Sequence, residues 1–156
     1  MTDSTPTAVV ERFIDHLRTA TDNDAAVGLL AEDVVYENSW MPTVRGRKRV
    51  HKLFQALLKI GTEVEMHVHA ISADGPTVLT ERTDVLQWGR LRVQFWICGR
   101  FDVHDGQIEV WREYYDPLAI LVATVRGLLG TVVPVDRAKR PFAVRASSEL
   151  VRNDPA

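Results

Sequence analysis

Two short segments of this chain carry side chains that could do acid–base chemistry: Thr80-Glu81-Arg82-Thr83-Asp84 and Trp111-Arg112-Glu113-Tyr114-Tyr115-Asp116. Each reads as part of a β-strand, in which residues two apart point to the same side. Arg82 and Asp84 then share one strand face, and Trp111, Glu113 and Tyr115 share one face of another. If both faces line a single pocket, two carboxylates meet across one arginine. That arrangement can hold one carboxyl protonated and the other ionised, as concerted acid–base chemistry requires.

An uncharged, strained electrophile such as an epoxide needs this pairing. Its oxygen must receive a proton as the ring opens, and the attacking water must lose one. A general acid and a general base each contribute typically ~10²–10⁴-fold. Asp84 and Glu113 could serve as the two carboxyl groups, Arg82 could bridge them, and Tyr36 with Asn38 could hold the water. Ile14, Leu17, Leu57, Met66, Leu86, Phe95, Ile97 and Tyr115 could line the rest of the cavity, joined by Ile120 and Leu128 from the apolar run near the end of the chain.

The elements that must position these residues are legible as patterns. Thr5 is a good N-cap with Pro6 at the first helical position, and Val9, Val10, Phe13, Ile14 and Leu17 recur at helical spacing. A short helix is expected over Asp24 to Leu30 and an extended segment over Val34 to Asn38, with Val34, Tyr36 and Asn38 on one face. Met41 to Gly46 reads as a loop, and Arg47 to Ile60 as a helix stopped by Gly61. The pattern then changes to period 2. Val64, Met66, Val68 and Ala70 alternate with charged residues and histidines. Strands are expected over Thr77 to Gln87, Arg90 to Val103 and Gln107 to Tyr115, with turns at Ala73-Asp74-Gly75-Pro76 and His104-Asp105-Gly106. Asp116-Pro117 reads as the cap and first position of a last helix. Helices first and a mostly antiparallel sheet after them make an α+β domain over residues 1–134. Residues 135–156, with Arg137, Lys139, Arg140, Arg145 and Arg152, read as a basic mobile tail or dimer arm.

Other features narrow the function. A chain of 156 residues is one domain, and its net charge of -2 gives no pull toward nucleic acid. The single Cys98 cannot form an intramolecular disulfide, which suits a reducing cytoplasm, and it is expected to be a buried hydrophobe. Met1 to Thr7 lacks the basic and apolar regions of a signal peptide. The run Leu118 to Val133 contains Arg126 and is too short to span a bilayer, so no membrane span is expected. His67-x-His69 has the parity of a metal pair, but alternation puts both on the outer face, so no metal is expected. Arg45-Gly46-Arg47-Lys48-Arg49 reads as a solvated helix start.

Tyr36-x-Asn38, Arg82-x-Asp84 and Trp111-Arg112-Glu113-Tyr114-Tyr115-Asp116 resemble, in order and spacing, the three signature segments of the limonene-1,2-epoxide hydrolase family. Leu79 to Asp84 and Leu91-Arg92-Val93-Gln94-Phe95-Trp96 are most similar to bacterial members that accept bulky apolar epoxides. The resemblance spans about residues 8 to 133. It implies a curved mixed sheet forming a cone with helices over its mouth, the nuclear-transport-factor-2-like fold, often as a homodimer. It also implies one-step hydrolysis of a hydrophobic epoxide by water, without cofactor or covalent intermediate. On that resemblance Asp84 protonates the epoxide, Arg82 bridges the carboxylates, and Tyr36 and Asn38 position the water. The family's base is the aspartate directly after Trp-Arg. This sequence has Glu113 there, one methylene longer.

The residues alone leave other readings open. The same carboxylates could serve an isomerase of the ketosteroid-isomerase type, with tyrosine and a protonated acid as an oxyanion hole. The domain could also be a non-catalytic binder of lipids or steroids. Arg82 and Asp84 could be a purely structural ion pair.

Overall fold

The computed structural model of the chain describes residues 5–18, 24–39, 41–59 and 61–132. The expected tail over 135–156 and the side chain of Leu57 lie outside the described residues. The elements follow in the order α1 (Pro6–Arg18), α2 (Asp24–Gly28), β1 (Leu30–Asn38), β2 (Met41–Arg45), α3 (Arg47–Lys59), β3 (Glu63–Asp74), β4 (Thr77–Trp88), β5 (Leu91–His104), β6 (Gln107–Tyr114) and α4 (Pro117–Val132). The fold is α+β: one curved, mixed six-stranded sheet in the order β2-β1-β6-β5-β4-β3, with helices packed on it. Every neighbouring pair is antiparallel except β1 with β6, which run parallel.

Helix boundaries follow from capping chemistry. The Ala8 N–H donates to Thr5 Oγ1 at 3.4 Å, and the Val9 N–H to the Thr5 carbonyl at 3.0 Å, so Thr5 starts α1 one residue before Pro6. At α4 the Leu118 N–H donates to Asp116 Oδ1 at 2.8 Å, which makes Asp116 the cap before Pro117. The turn between β5 and β6 is Asp105-Gly106, both with positive φ (49° and 73°), the geometry that lets a two-residue hairpin match the twist of its strands.

The core gathers around one indole. Trp111 of β6 is stacked on Phe54 of α3 at 5.5 Å and meets Phe13 of α1 edge-on at 4.9 Å; Phe101 of β5 and Tyr36 of β1 complete the cluster. Val9, Val10, Leu30, Val34, Val78 and Ile108 fill the space around these rings. The inner sheet face is thus anchored to α1 and α3 at the place where β6 carries Trp111 and Glu113.

Four expectations need correction. Residues 41–45 are not a loop but edge strand β2, with Val35 opposite Arg45 and Tyr36 opposite Val44. The strand is mostly exposed, so it lacks an alternating pattern, and Pro42 is tolerated at an edge where a missing N–H breaks no interior ladder. α2 stops at Gly28 and does not reach Leu30, because Leu30 is fully buried as the first residue of β1 and the Leu29 carbonyl is taken by the Ile108 N–H at 2.9 Å. Ala70 does not share a face with Val64, Met66 and Val68. The ladder runs Val68 to Arg82 and then Ala70 to Glu81, leaving His69 as an extra residue in a bulge. The bulge turns Ile71 inward to the core instead. Cys98 is half-buried rather than buried, since it has the opposite parity to Ile97 and pairs with Glu81 and Tyr114. Burial, then the Glu81 charge, push its thiol pKa up, away from reactivity.

No helix among the described residues is long and apolar enough to cross a membrane. Among those residues no group of three or more His, Cys, Asp or Glu is placed to hold a metal ion. His67 faces Glu65 at 3.5 Å, and His69 meets the Thr83 hydroxyl at 2.8 Å.

Candidate active site

Strands β4, β6 and β1 bring five of the sequence-derived polar residues to one place. Arg82 is only 1 % exposed, Asp84 5 % and Glu113 7 %. Strand alternation sets the Arg82–Asp84 contact: Arg82 Nε donates to Asp84 Oδ1 at 2.9 Å and to Oδ2 at 3.2 Å. From the other end of the guanidinium, Nη2 donates to Glu113 Oε1. A single arginine therefore bridges both carboxyl groups.

Glu113 is held on every side. Trp111 Nε1 donates to its Oε1 at 3.2 Å, and the Tyr36 hydroxyl donates to its Oε2 at 3.0 Å. Asn38 Nδ2 in turn donates to the Tyr36 oxygen at 3.1 Å, and the Tyr115 hydroxyl donates to Asn38 Oδ1. The parallel ladder of β1 and β6 makes this possible, with Tyr36 opposite Trp111 and Asn38 opposite Glu113. Just beyond it, Ser39 Oγ donates to the Glu113 carbonyl at 3.0 Å and accepts the Tyr115 N–H at 3.2 Å. One hydroxyl thus ties the end of β1 to the point where β6 leaves the sheet.

The electrostatics follow from burial. Desolvation is the main cause that lifts the Asp84 carboxyl to about 6; the Arg82 charge opposes the shift and the Glu113 charge adds to it. The shift brings the neutral form of Asp84 closer to neutral pH than an exposed carboxyl would be. Burial alone would drive the Arg82 pKa down, but Glu113 and then Asp84 outweigh it, and the shift is upward. The Tyr36 pKa is pushed up by burial and then by Glu113, so its hydroxyl stays a hydrogen-bond donor.

The apolar residues singled out from the sequence differ in placement and burial. Met66 and Phe95 stand opposite Asp84 in the ladders on either side of β4, and Ile97 stands opposite Arg82. Met66 and Ile97 are buried, as are Ile14 and Leu17 of α1; Leu86, Phe95, Tyr115 and Ile120 are half-buried. Leu128 on α4 is 52 % exposed. An open groove of about 260 Å³ runs along the start of α4, lined by Pro117, Ile120, Leu121 and Thr124.

Sequence reasoning missed three contributors. Gly99 on β5 is opposite both Thr80 and Glu113. A Cβ there would stand 2.7 Å from Thr80 Oγ1 and 2.8 Å from Arg82 Nη1, so the guanidinium occupies space that only glycine leaves. The signal was present: glycine interrupts the inward series Phe95, Ile97, Phe101. Ser39 left no trace in any pattern. Trp111 was placed on the correct face, but its donation to Glu113 depends on ring geometry that spacing does not encode.

The family model for the limonene-1,2-epoxide hydrolase catalytic domain matches residues 4–126. The chain is 44% identical over 126 residues to Epoxide hydrolase EphG of Mycobacterium tuberculosis, covering 80% of this chain and 83% of that protein. Its structure is similar to that of a limonene-epoxide-hydrolase-like epoxide hydrolase of M. tuberculosis, with TM-score 0.77 and 42% identity over 83% of this chain and 96% of the other. It also matches a nuclear-transport-factor-2-like protein of unknown function from Burkholderia pseudomallei at TM-score 0.67, over 76% of this chain and 96% of that one. At 11% identity this last likeness carries the fold alone.

Two measurements test the packing and charge of the site. Gly99→Ala should lower stability by about 1–3 kcal/mol in denaturant titration, because the methyl must displace a guanidinium tied at both ends; unchanged stability would show that Arg82 yields freely. The raised Asp84 carboxyl stabilises the fold below its unfolded pKa near 3.8, and that contribution is lost as pH climbs through about 6. Asp84→Asn cannot ionise, so its stability relative to the parent should improve between about pH 4 and pH 7. A difference that stays flat across that range would contradict the shift.

Proposed function

Since the chain belongs to the limonene-1,2-epoxide hydrolase family and is an epoxide hydrolase, we propose that it adds water to a bulky apolar epoxide in one step, giving a vicinal diol, with no cofactor and no covalent intermediate. The observation that carries this reading is the buried Asp84–Arg82–Glu113 bridge, with Tyr36 donating to the second oxygen of Glu113.

The reaction uses each group once. Neutral Asp84 gives its proton to the epoxide oxygen as the C–O bond breaks. Water, held by Asn38 and Tyr36, forms the new bond to carbon while Glu113 takes its proton. Asp84 ends ionised and Glu113 protonated, and Arg82 lies against both throughout, so the charge of the set does not change during the step. An apolar substrate that displaces solvent from Asp84 acts in the direction that burial already does, raising the neutral fraction of the acid.

Glu113 reaches Tyr36 directly at 3.0 Å while keeping Arg82 on its other oxygen. The longer side chain therefore spans the distance between the two partners that a water-activating carboxylate needs. Met66, Phe95 and Ile97 beside the polar set favour a hydrocarbon substrate of terpene, steroid or lipid origin. We further propose a cytoplasmic homodimer. Leu79, Trp96 and Tyr114, all about half exposed on the outer sheet face, are large apolar side chains that a second copy would cover.

The test is a screen of terpene, steroid and fatty-acid epoxides for diol products, followed by single turnover in ¹⁸O-water. Label should appear in the diol on the first turnover; an unlabelled first diol would mean that a carboxylate attacks carbon. Glu113→Gln should lower kcat by roughly 10²–10⁴-fold, since an amide cannot accept the proton. A fully active Glu113→Gln would remove this residue as the base.

The pH dependence has a defined sign. The acid must be neutral in the free enzyme, so kcat/KM should fall about tenfold per pH unit above the Asp84 pKa of about 6. A profile that is flat from pH 6 to pH 8 would assign proton donation elsewhere.

A further inference from the structure

Tyr115 was expected only as an apolar wall of the cavity. Its ring packs 5.8 Å from Phe95. Its hydroxyl does something else. It donates to Asn38 Oδ1, and this one contact decides which way the carboxamide faces. With the oxygen taken by Tyr115, the Asn38 amide nitrogen is left to face the Tyr36 oxygen, to which it donates at 3.1 Å. The Tyr36 oxygen is then used as an acceptor, and its own hydrogen points to Glu113 Oε2 at 3.0 Å. Turned by half a rotation, the same carboxamide would place its oxygen against Tyr36, which would draw the Tyr36 hydrogen away from Glu113.

We propose that Tyr115 is a positioning residue of the hydrolytic reaction: its hydroxyl fixes the Asn38 carboxamide and so sets the direction of the hydrogen-bond chain Tyr115–Asn38–Tyr36–Glu113. This inference rests on the reading of Glu113, Tyr36 and Asn38 as the group that activates water. The backbone is arranged to hold the clamp. Tyr115 lies just past the end of β6. Its N–H is caught by Ser39 Oγ, and Ser39 directly follows Asn38. The two partners of the clamp are thus held together by main chain and side chain at the same point. A phenylalanine would fill the same space against Phe95 but would leave the carboxamide free to turn.

The experiment compares Tyr115→Phe, Asn38→Ala and the double variant, with Glu113→Gln as the control, using limonene 1,2-epoxide as the probe. Tyr115→Phe should lower kcat at least about tenfold and leave KM within about threefold, because the ring surface is kept and only orientation is lost. In the double variant the effect should vanish: Asn38→Ala with Tyr115→Phe should be no slower than Asn38→Ala alone, since Tyr115 acts only through Asn38. A double variant slower by the full Tyr115→Phe factor, or a change in KM alone, would overturn the proposal and make Tyr115 a substrate contact. An active Glu113→Gln would instead defeat the reading on which the proposal rests. A readout independent of turnover is the side-chain amide of Asn38 in ¹⁵N NMR. Its two protons should exchange slowly in the parent and measurably faster in Tyr115→Phe, and equal exchange would also overturn the proposal.

Discussion

Arg82 carries a charge that it cannot shed, in a place that water does not reach. Everything around it answers that requirement. Asp84 comes from the same strand, two residues on; Glu113 comes from β6; Thr80 offers its hydroxyl; and Gly99 withdraws its side chain altogether. Desolvation makes such a cluster costly, and it persists only when every lone pair and hydrogen has a partner. Because two carboxyl groups compete for one cation, the arrangement holds one more potential negative charge than it can neutralise. That excess, together with burial, lifts Asp84 toward protonation. The guanidinium that holds this centre together works against that lift, and burial with the Glu113 charge outweighs it.

The site is cut from a sheet face whose other part is an aromatic core. Trp111 belongs to both. Its ring stacks between Phe54 and Phe101, which fixes the plane of the indole, and its N–H reaches Glu113. Packing energy from α1 and α3 is thereby converted into the orientation of one carboxylate. The same strand continues into Tyr115 and the Asp116 cap of α4, so a few consecutive residues serve the core, the Arg82 carboxylate partner, the contact to Asn38 and a helix start.

Features governed by local rules were legible in the sequence. Thr5-Pro6, Asp116-Pro117 and Asp105-Gly106 act through the nearest few residues, and the structure shows each of them working as chain chemistry says it must. The pairing of Arg82 with Asp84 was visible for the same reason. Features set by tertiary context were hidden. The edge strand β2 borrows its order from β1 and has no buried face of its own to pattern. The bulge at His69 changes parity without a glycine or proline to mark it. The contacts of Ser39 depend on which strands lie side by side, the donor role of Trp111 on the plane its ring takes in the aromatic cluster, and the direction of the β1–β6 pairing is decided by packing rather than by either strand alone.

That parallel pairing also has a bearing on how the molecule forms. β3, β4, β5 and β6 follow one another in the chain and pair with their immediate successors, so hairpin closure builds that part of the sheet through short loops. β1 must wait. Tyr36 and Glu113 are 77 positions apart, and their contact closes only after β6 exists and β1 has docked along it. On the ribosome β1 and its edge partner β2 emerge early and stay without their sheet until nearly the whole domain has been made. Non-local contacts of this kind slow the search for the native state, and here the slow contact is the one that completes the buried polar cluster. A chain cut short before β6 retains Arg82 and Asp84 but never acquires Glu113, the second carboxyl group that Arg82 bridges.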